Sequence, residues 1–251
     1  MKIVAITQAR HGSTRLPAKV LKKVGDKTLL EIHLERILQS KKITKLVVAT
    51  TEEAGAEHII EIARKMSIGV YQGSVDDVLE RFYYAAVPES PDYVVRLTSD
   101  CPLIDPVEID KVIEACIKND NDYVSNTLSP TFPDGVDVEV FTFKALEKAF
   151  HEATLKSDRE HVTPYIKKNS TFNGGKLFKS SNLVNPVDCS SYRITVDTED
   201  DFWVIESLIK SLGTDKTWKD YIDFLDQNRD IKGLNEKNIR DEGYLKSLLN
   251  D

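Results

Sequence analysis

Apolar runs and amphipathic stretches alternate over the first half of the chain, and this rhythm narrows its fold more than any other feature. Ile3-Val4-Ala5-Ile6, Leu46-Val47-Val48-Ala49-Thr50, Ile68-Gly69-Val70-Tyr71 and Tyr93-Val94-Val95-Arg96-Leu97 each read as a strand. Between and after them, residues 28–40, 57–66, 75–87 and 106–119 space their apolar residues as helices do. Asp76 and Asp77 open the third helix on the side its dipole favours, and Pro106 suits the first turn of the fourth. Near-continuous apolar strands joined by helices point to an α/β fold with a mainly parallel sheet flanked by helices. A parallel crossover needs a long connection, and that connection covers a sheet face.

The rhythm changes near residue 121. Tyr123-Val124-Ser125-Asn126 reads as a strand, and residues 136–141 alternate as a half-buried, antiparallel strand would. Residues 143–153 and 159–168 read as helices, 192–196 as a late strand and 200–212 as a helix. In the tail, Tyr221, Phe224 and Leu225 are the expected anchors, and the charge-dense stretch 232–246 reads as a solvated helix face. There is no repeat, low-complexity tract or long linker, so residues 1–251 are expected to form one domain.

Composition limits the function. A net charge of -7 argues against a general nucleic-acid or membrane-surface binder. Cys101, Cys116 and Cys189 are far apart and form no CxxC pair, which fits reduced thiols in a cytoplasmic protein. No apolar run is long enough to span a bilayer, and the chain opens directly on a strand, so neither membrane insertion nor a signal peptide is expected.

Against this acidic background, the loop Gln8-Ala9-Arg10-His11-Gly12-Ser13-Thr14-Arg15-Leu16-Pro17-Ala18-Lys19 stands out. It gathers cations, hydroxyls and a glycine directly after the first strand, where ligands bind in α/β sheets. Gly12 permits close backbone approach, N–H groups and hydroxyls can donate, and the cations can neutralise a polyphosphate. The glycine spacing is neither that of a Walker loop nor that of a dinucleotide fingerprint. An ordinary solvated loop is the alternative.

Two further strands end in an aspartate. Asp100 follows Arg96-Leu97-Thr98-Ser99, and Asp197 follows Arg193-Ile194-Thr195-Val196. Each can hold a hard cation such as Mg2+, which takes few carboxylates and completes its shell with phosphates. Asp100 could instead cap the turn before Pro102. Thr198 and Asp201 have capping-box spacing, which leaves Asp197 as the functional candidate. A basic loop with two strand-end carboxylates is what metal-assisted phosphoryl or nucleotidyl transfer requires. Asp137 and Glu139 would share one strand face and, with Arg159 and His161, could bind an acceptor. The alternatives are the solvent face of an edge strand for the two acids and a structural hydrogen-bonding role for His161.

Taken in order, QARHGSTRLPAK, GSVDDVLERF, RLTSDCPLIDP, PDGVDVEVF, REHVTPYI and RITVDTEDDF resemble the cytidylyltransferases that activate acidic sugars. That class includes 3-deoxy-manno-octulosonate and acylneuraminate cytidylyltransferases, and within it the motifs resemble most the spore coat polysaccharide biosynthesis protein F branch. The resemblance implies a Rossmann-like nucleotidyltransferase fold with a small, late antiparallel element, about 121–190, for acceptor and homodimer contacts. It implies that Arg10 and Lys19 contact the CTP phosphates, that Ala9, Gly12, Ser13 and Arg15 line the loop, and that Asp100 and Asp197 hold Mg2+. Thr98 falls where ketosugar enzymes carry a glutamine that helps read the base. Thr50-Thr51-Glu52-Glu53 replaces a stretch where many relatives carry aspartates, and it receives no role. The implied reaction is CTP plus an acidic sugar, or another anionic acceptor, giving a CMP-linked product and pyrophosphate. A CDP-linked product from a phosphorylated acceptor, or a non-catalytic nucleotide-binding regulator, are the alternatives.

Overall fold

The computed structural model describes residues 1–13 and 15–251. In chain order its elements are β1 (Ile3–Gln8), β2 (Lys23–Val24), β3 (Lys27–Thr28), α1 (Leu29–Ile37), β4 (Lys45–Thr51), α2 (Ala56–Lys65), β5 (Gly69–Gly73), α3 (Val78–Ala86), β6 (Tyr93–Thr98) and α4 (Pro106–Lys118). There follow β7 (Tyr123–Ser125), β8 (Glu139–Thr142), α5 (Phe143–Glu152), α6 (Lys156–His161), α7 (Pro164–Lys168), β9 (Ser180–Asn182), α8 (Glu199–Leu212), α9 (Trp218–Gln227), α10 (Arg229–Lys232) and α11 (Glu242–Ser247).

The main sheet runs β5-β4-β1-β6-β8-β7-β9. The first four strands in this order are mutually parallel, as their apolar runs and intervening helices require. β1 lies near the middle, and Val4, Ala5 and Ile6 are fully buried. Successive side chains point to opposite faces. Ala5 therefore packs with Val48 and Val95 under α1 and α4, while Val4 and Ile6 pack with Val47 and Val94 under α3 and α5. Local signals set several helix starts. Thr28 and Glu31 form a capping box, and Asp77 caps α3 by accepting from the Glu80 N–H at 2.8 Å.

β8 changes the sheet's direction. It is antiparallel to both β6 and β7, as its alternation predicts. It lies between them, so it is an inner strand rather than a half-buried edge, and Val140 and Phe141 are fully buried. It begins only at Glu139, so Asp137 does not share a strand face with it. The separate antiparallel pair, β2–β3, comes early in the chain.

Three more expectations are corrected. Residues 159–168 are not one helix, because α6 ends at His161 and α7 begins at Pro164. The break falls at Val162, whose φ of 71° ends α6, and Pro164, which has no N–H to donate, suits the first turn of the new helix. Residues 192–196 form no strand beyond a bridge between Asp134 and Arg193. Their amides pair with loop carbonyls instead, Ile194 N–H with Asp134 at 2.7 Å and Val196 N–H with Asp100 at 2.8 Å. Their apolar pattern marks burial, since Ile194 and Val196 join α8 and α9 in a third core. The tail is also not simply a solvated face. Asn235 is buried, and Arg240 and Glu242 reach back to the parallel sheet's ligand-binding edge. Among the described residues no helix is long and apolar enough to cross a membrane, and the three cysteines are free and buried.

Candidate active site

The register of β1 aligns Gln8 with Thr98 of β6 and with Ala49 of β4. The basic loop after β1 and the turn after β6 therefore leave the sheet at the same edge. A cleft of about 980 Å³ opens there. Of the residues expected to bind nucleotide, metal or acceptor, all but Gly12 line it. Thr14, the loop's second hydroxyl, lies outside the described residues.

At the cleft floor, Lys19 donates to Asp100 Oδ2 at 3.0 Å and to Asp197 Oδ1 at 2.8 Å. Burial opposes the charged form of Lys19, but the two carboxylates outweigh it and hold the ammonium above its ordinary pKa. Burial likewise works against Asp100, yet the Lys19 charge and a hydrogen bond from Thr98 keep its carboxyl well below the usual range. The following helix, α4, is capped by Asp105. Asp197 also receives Arg15 at 2.9 Å and Arg193 at 2.9 Å. Arg193 is buried, bonds Asp134 and Asp201, and thereby anchors the Asp197 turn to the Thr198–Asp201 capping box. Arg10 is exposed in the cleft and makes no salt bridge among the described residues.

The other wall holds the predicted acceptor residues. The Glu139 carboxylate is buried and accepts from Tyr123 at 2.6 Å, Thr163 at 2.8 Å, Lys167 at 2.9 Å and Arg96. Burial would raise its pKa, but Lys167 and Arg96 hold it well below the usual range. Asp137 pairs with Arg240, yet burial, aided by Asp134, pushes it up to about 7. Arg159 is committed to Asp77 at 2.6 Å and to the Phe150 carbonyl at 2.9 Å. His161 shares a hydrogen bond with Ser247 at 2.9 Å and lies edge-on to Tyr244, and burial followed by the Arg96 charge lowers its pKa.

Sequence reasoning missed Arg96, Lys167, Arg193, Arg240 and Glu242. A charge inside an otherwise apolar run marks Arg96, because buried charges are rare unless paired. Arg240 and Glu242 carry no local signal. Glu242 meets Arg15 at 2.8 Å across 227 positions of sequence.

A family model described as Cytidylyltransferase matches residues 4–239. The chain belongs to the cytidylyltransferase family. An uncharacterized protein of Methanocaldococcus jannaschii is 43% identical over 97% of this chain and 98% of its own. The spore coat polysaccharide biosynthesis protein SpsF of Bacillus subtilis is 33% identical over 91% of this chain and 95% of its own. The structure of a cytidylyltransferase from Leptospira borgpetersenii superposes with a TM-score of 0.86 at 37% identity, covering 92% of this chain and 97% of that one. Two more distant structures share the fold. CMP:2-keto-3-deoxy-manno-octonic acid synthetase complexed with CTP has a TM-score of 0.61 at 14% identity, covering 84% of this chain and 99% of that one. Rv0371c of Mycobacterium tuberculosis complexed with manganese has a TM-score of 0.55 at 13% identity, covering 80% and 96%. As a cytidylyltransferase this chain is a nucleotidyltransferase enzyme, and its sheet is the fold that the sequence motifs imply.

Proposed function

We propose that this cytidylyltransferase transfers CMP from CTP to an acidic sugar or a related anionic acceptor and releases pyrophosphate, in the synthesis of a surface polysaccharide or glycan. The observation that carries the reading is the convergence of Asp100 and Asp197 on one cation, the Lys19 ammonium, beneath a loop that presents Arg10 and Arg15 to the cleft. The relatives support it, since SpsF is a spore coat polysaccharide biosynthesis protein and the octonic acid synthetase is complexed with CTP.

Arg10, Arg15 and Lys19 would bind the triphosphate, with Ala9 and Ser13 beside them and Thr98 toward the base. The acceptor oxygen attacks the α-phosphorus, and the bond from that phosphorus to the β-phosphate's bridging oxygen breaks. Pyrophosphate leaves with the electron pair, and the acceptor proton passes to water. Cations at the loop stabilise the charge that develops on the leaving group. The floor suits a hard divalent cation, because two carboxylates already meet on one positive centre, and few carboxylates plus phosphates are what Mg2+ takes. Bound there by Asp100 and Asp197, Mg2+ would neutralise phosphate charge. The Rv0371c structure complexed with manganese supports the use of a divalent ion.

On the opposite wall, Glu139 holds Arg96 and Lys167 at the cleft, and these two cations suit the acceptor's anionic group. Asp137, Arg159 and His161 complete that side. The reading includes a homodimer formed through the late segment, where Leu177, Val184 and Val187 are exposed.

A pyrophosphate-release screen of CTP with Mg2+ against acidic sugars and sugar phosphates tests the reaction. Product mass separates CMP-linked from CDP-linked products. Binding of CTP without release across the panel would overturn the catalytic reading. Sedimentation measures the dimer.

A further inference from the structure

We propose that Glu53 is a positioning residue for nucleotide binding, fastening the basic loop from behind so that its cations face the cleft. The inference rests on the cytidylyltransferase reading for its ligand. Glu53 follows β4, next to the strand that launches the loop.

The Glu53 carboxylate accepts the Gly12 N–H through Oε1 at 2.7 Å. A Cβ on Gly12 would lie 2.7 Å from Glu53 Oε2, so the carboxylate fills the space that any side chain there would need. Beside it, the His11 ring packs on Gly55. A Cβ on Gly55 would meet that ring at 2.4 Å, and its φ of +92° already favours glycine. The loop is thus held at two consecutive residues.

His11 is the right place to hold it. Its carbonyl accepts the Ser13 N–H at 3.0 Å and the Ala18 N–H at 3.1 Å, so both arms of the loop hang from this residue. Neither His11, Gly12 nor Glu53 lines the cleft, whereas Arg10, Ser13, Arg15 and Lys19 do. Glu53 therefore does not occupy the phosphate side of the loop. It holds the opposite side. Its ionised form is favoured, because the Gly12 amide and the Arg10 charge outweigh the penalty of partial burial. Pre-ordering of this kind lets the loop meet a triphosphate without first losing conformational freedom.

The test compares Glu53→Ala, Glu53→Gln and Gly12→Ala with the unaltered chain. Calorimetry with CTP and with CMP gives affinity, and tryptic cleavage after Arg10 and Arg15 reports loop order without any ligand. Loss of a charge-assisted hydrogen bond should make Glu53→Ala bind CTP roughly tenfold more weakly, with a smaller loss for CMP and faster cleavage. Glu53→Gln keeps volume and an acceptor oxygen and should stay within about threefold of the parent. Gly12→Ala should resemble Glu53→Ala, and adding it to Glu53→Ala should cost little more, since its clash is with Glu53 itself. CTP binding within about twofold of the parent and unchanged cleavage in Glu53→Ala overturn the proposal. So do equal losses for CTP and CMP with a lowered melting temperature, which assign Glu53 to the fold. If the unaltered chain does not bind CTP, the cytidylyltransferase reading fails. Cleavage rates then still decide whether Glu53 fastens the loop.

Discussion

Replacing Lys19 by methionine tests the reading at its electrostatic centre. Methionine is nearly as long as lysine and the Lys19 side chain is mostly buried, so the change removes charge with little change of volume. It leaves Asp100 and Asp197 facing each other with no shared cation. Breaking a buried ion pair by removing one partner costs about 3–5 kcal/mol. Arg15 and Arg193 still neutralise Asp197, and both carboxylates are partly exposed, so a loss somewhat below that range, about 2–3 kcal/mol, is expected here. That loss should depend on pH. In the parent, Asp100 is held below its unfolded value, so it contributes stability above that value that is lost only as pH falls through the folded one. Lys19, raised, contributes stability below its unfolded value that is lost as pH rises through the folded one. In the variant the attraction on Asp100 is gone and burial raises its pKa above the unfolded value. Its penalty is therefore full at neutral pH and fades as the pH falls toward about 4. Urea denaturation of parent and variant at several pH values between about 7 and 4 measures this. The same variant should lose affinity for CTP more than for CMP. A pH-independent difference, or one below about 0.5 kcal/mol at neutral pH, would refute the claim that Lys19 holds the two carboxylates together.

Asp100→Asn and Asp197→Asn should each lower turnover by at least about two orders of magnitude at limiting Mg2+ while the fold survives, since each removes a charge from the floor; near-parent rates would remove that residue from the metal site. Arg10→Ala should weaken CTP more than CMP in calorimetric titrations, because this exposed cation is expected at the outer phosphates; equal losses would move it to the base or ribose. Asp137→Asn should stabilise the fold above about pH 7 and make no difference below about pH 4. An acid raised to about 7 in the folded state loses stability as pH rises to that value, and denaturation midpoints across that range report it. Arg159→Ala should lower the melting temperature more than it raises the acceptor's KM, because its guanidinium is already spent on Asp77 and two carbonyls.

The parallel half of the sheet was legible in the sequence, because strand and helix there are written in local periodicity. The sequence also placed the basic loop and Asp100 at one edge, since the ligand-binding end follows from strand direction, whereas Asp197 reaches that edge from a segment that forms no strand. The capping box at Thr198 and Asp201 was legible for the same reason, its partners being only three residues apart. The place of β8 in the sheet was not legible in this way. Alternation describes a strand's faces and not its neighbours: β8 lies between β6 and β7, and its two faces are buried under α4 and α5. Residues 192–196 misled in the same way, because a buried apolar pattern does not reveal whether its amides meet a strand or a loop. The charge partners were least legible. Arg240 finds Asp137, Glu242 finds Arg15 and Glu53 finds Gly12 over separations at which sequence carries no geometric information. The two charge pairs exist because folding brings distant charges into a common, partly dry cleft, where each must be compensated by whatever the chain delivers nearby, while the Glu53–Gly12 contact lies behind the loop.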